Sequence, residues 1–234
     1  MNKLAVVTGG SQGIGRCIAE RFAREGFDIV TCARKRAPLE AMKEHMEKTF
    51  GNQVLFYTAD MAERGQIKSF TDFVLALNRP IDVLVNNAGF YVPGKLTEEP
   101  EGTLEQMLAG NVVSAYYTTR GLADHFKSRK AGHIFNICSV ASIRAYVNGG
   151  SYGVAKFALL GFSKTLREEL KDFNIRVTSI LPGATKTSSW DGVDVEEGRF
   201  MKPEDVAEMV YAAYAVSPRS VVEEVLIRPL LGDI

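Results

Sequence analysis

The chain has 234 residues, 46% hydrophobic and 24% charged, which excludes a disordered, collagen-like or coiled-coil protein. Lys and Arg number 28 and Asp and Glu number 28, so the formal charge is zero and no nucleic-acid or membrane partner is expected. The three cysteines, Cys17, Cys32 and Cys138, have no Cys-x-x-Cys spacing, and no apolar run approaches the roughly 18–20 residues that span a bilayer.

Short β-branched runs alternate with longer amphipathic stretches. Leu4–Val7 reads as a strand and is too short for a signal-peptide core, so a reducing, cytoplasmic setting is expected. Ile14–Glu25 reads as a helix closed by Gly26, Phe27–Thr31 as a strand, and Pro38–Phe50 as a helix ended by Gly51. The strand Val54–Thr58, the helix Glu63–Leu77 and the strand Asp82–Val85 follow. Leu104–Arg129 reads as one long helix, His133–Cys138 as a strand, Ser151–Asp172 as a second long helix and Ile175–Ile180 as a strand. Pro203–Val216 is a helix with Pro in its first turn, and Glu223–Arg228 is the last strand.

Strands alternating with helices predict parallel βαβ units in one sheet covered on both faces. Continuous apolar strands such as Leu4–Val7 suit that burial. No linker, repeat or low-complexity tract divides residues 1–234, so a single domain is expected. The longest weakly patterned stretch lies within residues 183–202, and a loop of that length reads as a lid or binding loop.

Directly after the first strand comes Thr8-Gly9-Gly10-Ser11-Gln12-Gly13-Ile14-Gly15, which opens a helix. Gly9 permits a tight turn, Gly13 lets backbone approach a pyrophosphate, and Gly15 lets the helix sit close to the strand. The helix start offers free N–H groups to phosphate. The second strand ends in Cys32-Ala33-Arg34-Lys35-Arg36, without the carboxylate that would select NAD. Three cations there suit a 2′-phosphate, so NADP(H) is expected, with Arg34 its first contact. A solvated basic loop is the plainer reading of the same residues. Asp60 fits either an adenine contact or a helix cap.

Tyr152 and Lys156 stand four residues apart on a predicted helix, so they share a face. An ammonium close to a phenol favours phenolate and lowers its pKa, tuning the group for proton exchange with an alcohol or alkoxide. Tyr91 and Lys95 have the same spacing, but Pro93 and Gly94 interrupt any helix between them. Ser139 ends the fifth strand, thirteen residues before Tyr152, and could hydrogen-bond a substrate oxygen. The glycine turn, Asn86-Asn87-Ala88-Gly89 and Ser139 all fall on the carboxyl edge of the sheet, where open α/β sheets bind ligands. Asn111 is a costly residue inside a helix. It reads either as support for a water beneath Lys156 or as a solvated surface residue.

In order and spacing these motifs, together with Pro182-Gly183-Ala184-Thr185-Lys186-Thr187, resemble the short-chain dehydrogenase/reductase family over nearly the whole chain. The resemblance implies a three-layer Rossmann fold with a doubly wound parallel sheet of seven strands. It implies a catalytic set of Asn111, Ser139, Tyr152 and Lys156: Tyr152 as acid/base, Ser139 polarising a carbonyl, Lys156 also holding the nicotinamide ribose, and Asn111 supporting a proton relay. The cofactor contacts it implies are Gly9, Ser11, Gln12, Gly13, Ile14, Gly15, Arg34, Asp60, Met61, Asn87, Ala88, Gly89, Tyr152, Lys156, Pro182, Gly183, Thr185 and Thr187. Gln12 departs from the base that many NADP-using relatives carry in this turn. The tail Val221–Pro229 and Trp190-Asp191-Gly192 resemble bacterial sepiapterin-reductase-like members. A homodimer or homotetramer through the two long helices is implied as well.

The substrate is expected to meet Ser139, Tyr152, Tyr146 and Trp190, with Tyr91, Val92, Phe200 and Met201 close by and residues 184–202 forming the substrate loop. Such residues suit an apolar or aromatic carbonyl compound or the matching alcohol, a pterin side chain among them. Gly149-Gly150-Ser151-Tyr152-Gly153 fits the hydrolase pattern Gly-x-Ser-x-Gly, but no strand runs into Ser151 and all three histidines precede it. No His, Asp or Glu cluster has metal-ligand spacing, so no metal is expected. A non-catalytic dinucleotide sensor would not need Ser139, Tyr152 and Lys156 together.

Overall fold

The computed structural model describes residues 1–190, 192 and 195–234. Seven strands form one parallel sheet in the order β3-β2-β1-β4-β5-β6-β7: β1 Leu4–Thr8, β2 Asp28–Ala33, β3 Val54–Thr58, β4 Val83–Asn86, β5 Gly132–Ile137, β6 Ile175–Pro182 and β7 Glu224–Ile227. This is a doubly wound Rossmann fold. Strand order reverses between β1 and β4, and the crevice of such sheets opens there.

The two faces of β1 show why its run is continuously apolar. Ala5 and Val7 enter a core with Phe22, Met42 and Val210, carried by α1 (Gly13–Arg24), α2 (Arg36–Phe50) and α7 (Pro203–Ala215). Leu4 and Val6 enter the opposite core with Phe70, Phe126 and Leu166, carried by α3 (Arg64–Ala76), α5 (Ser114–Arg129) and α6 (Gly150–Leu170). Both faces are dry, so a period-2 pattern has nothing to report.

The predicted helix Leu104–Arg129 is not continuous. A short helix, α4 (Thr103–Leu108), runs into one π-helical turn at Ala109–Val113 before α5 begins. Asn111 sits in that turn, and its Nδ2 donates to the carbonyls of Met107 and Phe90, both at 3.0 Å. A side chain that bonds its own helix's backbone competes with the regular ladder and widens it locally. Asn111 is only 1% exposed, which overturns its reading as a solvated surface residue.

Candidate active site

The carboxyl ends of β1, β2, β4, β5 and β6 open into one crevice of about 1180 Å³. Every residue assigned above to catalysis, cofactor or substrate contact lines it. Among the apolar neighbours, Tyr91 lines it too, whereas Val92, Phe200 and Met201 do not; Phe200 supports Trp190 edge-on at 5.0 Å. Asp191 of the Trp190-Asp191-Gly192 motif lies outside the described residues.

The floor is stitched across the switch point. The Thr8 hydroxyl accepts from the N–H groups of Asn87 and Ala88, each at 3.0 Å, and Asn87 Nδ2 donates to the carbonyls of Thr8 at 2.9 Å and Gly9 at 3.1 Å. Gly9 holds φ +68°, in the left-handed region. Gly15 has a different reason from the expected one: a Cβ there would strike the Asn87 carboxamide and the Gly9 carbonyl rather than a strand. Glycine therefore makes room for the very side chain that ties β1 to β4. Across the crevice, Gln12 Nε2 donates to Ser188 Oγ at 3.1 Å, linking the glycine turn to the loop after β6.

Two features of this half fit a dinucleotide with an extra phosphate. Helix α1 has no side-chain cap and no acidic residue in its first turn, so its leading N–H groups stay available at the crevice. Arg34 and Lys35 are exposed at the crevice edge and make no ion pair among the described residues, and α2 begins beside them equally uncapped. Asp60 caps neither helix: its Oδ1 accepts from Ala62 N–H at 2.9 Å, closing a turn ahead of α3.

The other half gathers a hydroxyl, a phenol and an ammonium. Ser139 follows β5, is buried, and its Oγ accepts from Ala141 N–H at 3.1 Å, so its own hydrogen is free to point elsewhere. Tyr152 and Lys156 occupy one face of α6. Lys156 Nζ donates to the Ile137 carbonyl at 2.9 Å and lies 5.5 Å from the Tyr152 ring centroid. The expected lowering of the phenol's pKa is not found. Burial pushes Tyr152 up to about 12 against the pull of a hydrogen bond from Ser139. Burial pushes Lys156 down to about 8, opposed by the neighbouring Cys138. Desolvation is the leading cause of both shifts, and the ammonium sits on a backbone carbonyl.

The mouth is aromatic. The rings of Tyr91 and Tyr152 meet edge to face with centroids 4.9 Å apart, and the Tyr91 hydroxyl donates to the Asn148 carbonyl at 3.1 Å. Sequence reasoning misses Arg228 and Asp233, which line the crevice as an ion pair at 2.6 Å. Nothing local marks them; the tail reaches the site only because β7 lies beside β6.

The family model described as short chain dehydrogenase matches residues 3–197. The chain is 33% identical to a sepiapterin reductase of Chlorobaculum tepidum, over 100% of this chain and 99% of that protein. It is 32% identical to an (S)-acetoin-forming diacetyl reductase of Staphylococcus epidermidis, over 90% of each. An alcohol dehydrogenase from the archaeon Thermococcus sibiricus, complexed with 5-hydroxy-NADP, superposes with a TM-score of 0.92 at 28% identity, covering 98% of this chain and 97% of that one. L-sorbose reductase from Gluconobacter frateurii, complexed with NADPH and L-sorbose, superposes with a TM-score of 0.89 at 30% identity, covering 97% and 95%.

Proposed function

The chain belongs to the short-chain dehydrogenase/reductase family of oxidoreductases, and on that premise we propose that it transfers hydride between NADP(H) and a small ketone, aldehyde or secondary alcohol. The observation that carries this reading is the convergence of the Ser139 hydroxyl, the Tyr152 phenol and Lys156 in a crevice whose other half is built for a phosphorylated dinucleotide. Solved relatives holding NADP or NADPH support the choice of cofactor. Bound NADPH supplies the hydride.

The protein's own residues then handle the oxygen. Ser139 donates a hydrogen bond to the carbonyl oxygen and polarises it. Tyr152 gives its proton to that oxygen as negative charge develops. A pKa of about 12 keeps the phenol protonated at neutral pH, which suits the direction of reduction. The Lys156 ammonium holds the nicotinamide ribose and stabilises the phenolate left behind. Asn111 Oδ1, buried and without a partner among the described residues, is the acceptor available to a proton relay. Arg34 and Lys35 take the 2′-phosphate, while Pro182–Thr187 holds the carboxamide.

A pterin side-chain carbonyl is the second reading of the substrate. It is favoured by the full-length match to a sepiapterin reductase and by the rings of Tyr91, Tyr146 and Trp190 at the crevice. Assembly as a cytoplasmic homodimer or homotetramer belongs to the same reading and is supported by the exposed Tyr116, Val154 and Phe157 on α5 and α6; light scattering at micromolar concentration checks it. The central test is Tyr152→Phe assayed by NADPH oxidation against a panel of ketones and aldehydes. The variant should lose turnover while binding NADPH as before. Retention of most of kcat would refute the acid assignment, and wild-type protein that binds NADPH but reduces no carbonyl would favour a sensor.

A further inference from the structure

Helix α6 begins two residues before Tyr152, yet it brings no cap of its own. It has no side-chain cap and no acidic residue in its first turn. The acid comes from a distant segment. Glu99, in the stretch between β4 and α4, accepts from Ser151 N–H through Oε1 at 2.9 Å and Oε2 at 3.2 Å, and its Oε2 also accepts from the Ser151 hydroxyl.

The slot around this carboxylate is shaped by two glycines. A Cβ on Gly94 would lie 2.7 Å from Glu99 Cγ. Gly150 holds φ +43°, and a Cβ there would meet Glu99 Oε1 and the Gly94 carbonyl. The same segment is fastened to the site at further points. Gly94 N–H donates to the Asn148 carbonyl at 3.1 Å, the Tyr91 ring rests against Tyr152, and the Phe90 carbonyl accepts from Asn111. No motif at Glu99 announces this role, because its partner lies 52 positions away.

We infer that Glu99 is a positioning residue for Tyr152: its carboxylate clasps the N-terminus of α6 and fixes where the phenol stands relative to Ser139. The inference rests on the reading of Tyr152 as the acid. It assigns to Glu99 reach rather than charge. The Oε1 acceptor faces a backbone N–H, and an amide oxygen at the same place would hold that N–H equally well. An acceptor one methylene shorter would not.

The test compares Glu99→Ala, Glu99→Gln and Glu99→Asp, with Tyr152→Phe as control. Kcat is measured with NADPH and the best carbonyl of the panel, NADPH affinity by nucleotide fluorescence, and folding by thermal melting. Glu99→Ala should lower kcat about 10–100-fold, the scale set by misplacing a reacting group by an ångström, with NADPH affinity within about twofold of wild type. Glu99→Gln should recover most of that loss, and Glu99→Asp should recover less although it keeps the charge. Should Glu99→Ala not fold, the order of Gln above Asp still decides. Asp above Gln, or wild-type kcat in a folded Glu99→Ala, overturns the inference. If Tyr152→Phe is inactive while Glu99→Ala is fully active, Glu99 alone is misassigned. If Tyr152→Phe stays active, the acid assignment falls and takes the inference with it.

Discussion

The two ends of β5 and β6 use the same kinds of buried polar residue in opposite ways. At the amino ends, His133 Nε2 meets Thr178 Oγ1 at 2.7 Å, and the Arg176 guanidinium donates to the carbonyls of Tyr214 at 3.0 Å and Val216 at 3.3 Å, closing the end of α7. These bonds all close on the protein itself, and no crevice opens beside them, although His133 Nδ1 is buried without a partner among the described residues. At the carboxyl ends, Ser139 accepts from Ala141 and reaches Tyr152, Lys156 holds the Ile137 carbonyl, and all three side chains line an open crevice. Buried polarity alone therefore does not mark a site. What separates the two ends is that the polar groups at the carboxyl end face an open crevice, where a ligand can complete them at a cost in stability that an active site tolerates.

Removing the most costly of these groups is the strongest way to break the contrast. Lys156→Met should lower kcat about 10²–10⁴-fold, the usual worth of acid–base machinery, while stabilising the protein without ligand. Lys156 is pushed from 10.5 to about 8, so the unfolded chain binds more protons between those values and the ammonium's burial cost is present in full below pH 8. That shift corresponds to roughly 3 kcal/mol, reduced by roughly 1 kcal/mol for the hydrogen bond lost at Ile137. Urea unfolding should show the variant ahead of wild type at neutral pH, with the gap closing as pH approaches that of free lysine. A variant less stable at every pH would mean that Lys156 serves the fold and not the ligand.

Arg34→Ala probes the dinucleotide half. Charge-assisted contacts contribute about 1.5–3 kcal/mol, so NADPH affinity should fall about 10–100-fold while NADH affinity barely changes, as read by fluorescence titration. Equal losses for both nucleotides would remove the 2′-phosphate from the account. A milder perturbation needs no mutation. The value of kcat/KM for reduction should fall about tenfold per pH unit above pH 8, following loss of the Lys156 charge, since Tyr152 at about 12 stays protonated across that range. A flat profile to pH 10 would separate the ammonium from catalysis.

How far these features could be read from the sequence follows their range along the chain. The βα turn at Thr8–Gly15, the Tyr152–Lys156 spacing and the strand ends carrying Asn87 and Ser139 are local patterns, and the structure lines one crevice with all of them. Three things escaped. The π-turn at Ala109–Val113 arises from a side chain bonding the backbone, so periodicity reads straight through it. The direction of the Tyr152 shift depends on how deeply the phenol is buried, and helical spacing does not encode that. Glu99, Arg228 and Asp233 arrive through tertiary neighbours, and a lone sequence carries no signal for such contacts.

The amino-terminal edge supplies the smallest and most pointed check. His133 is fully buried, stacked on Phe135 at 3.9 Å, and its pKa lies well below the ordinary histidine value, first because of burial and then because of the Arg176 charge. The sign follows: the unfolded chain takes up the proton that the folded chain refuses, so this residue withdraws stability as pH falls below about 6.5. His133→Gln should cost some stability at neutral pH through imperfect packing, yet lose less than wild type on acidification. Between about pH 7.5 and pH 5 the stability difference in urea unfolding should move in favour of the variant, with His125, accepting from Ile81 N–H at 3.1 Å, the same in both proteins. Kcat for carbonyl reduction should be unchanged at neutral pH, because the sheet separates His133 from the crevice by the length of β5. Parallel acid sensitivity in the two proteins would show that the histidine is not buried neutral. A fall in kcat would show that the two ends of the sheet are mechanically coupled, and the contrast between them would then be one of degree.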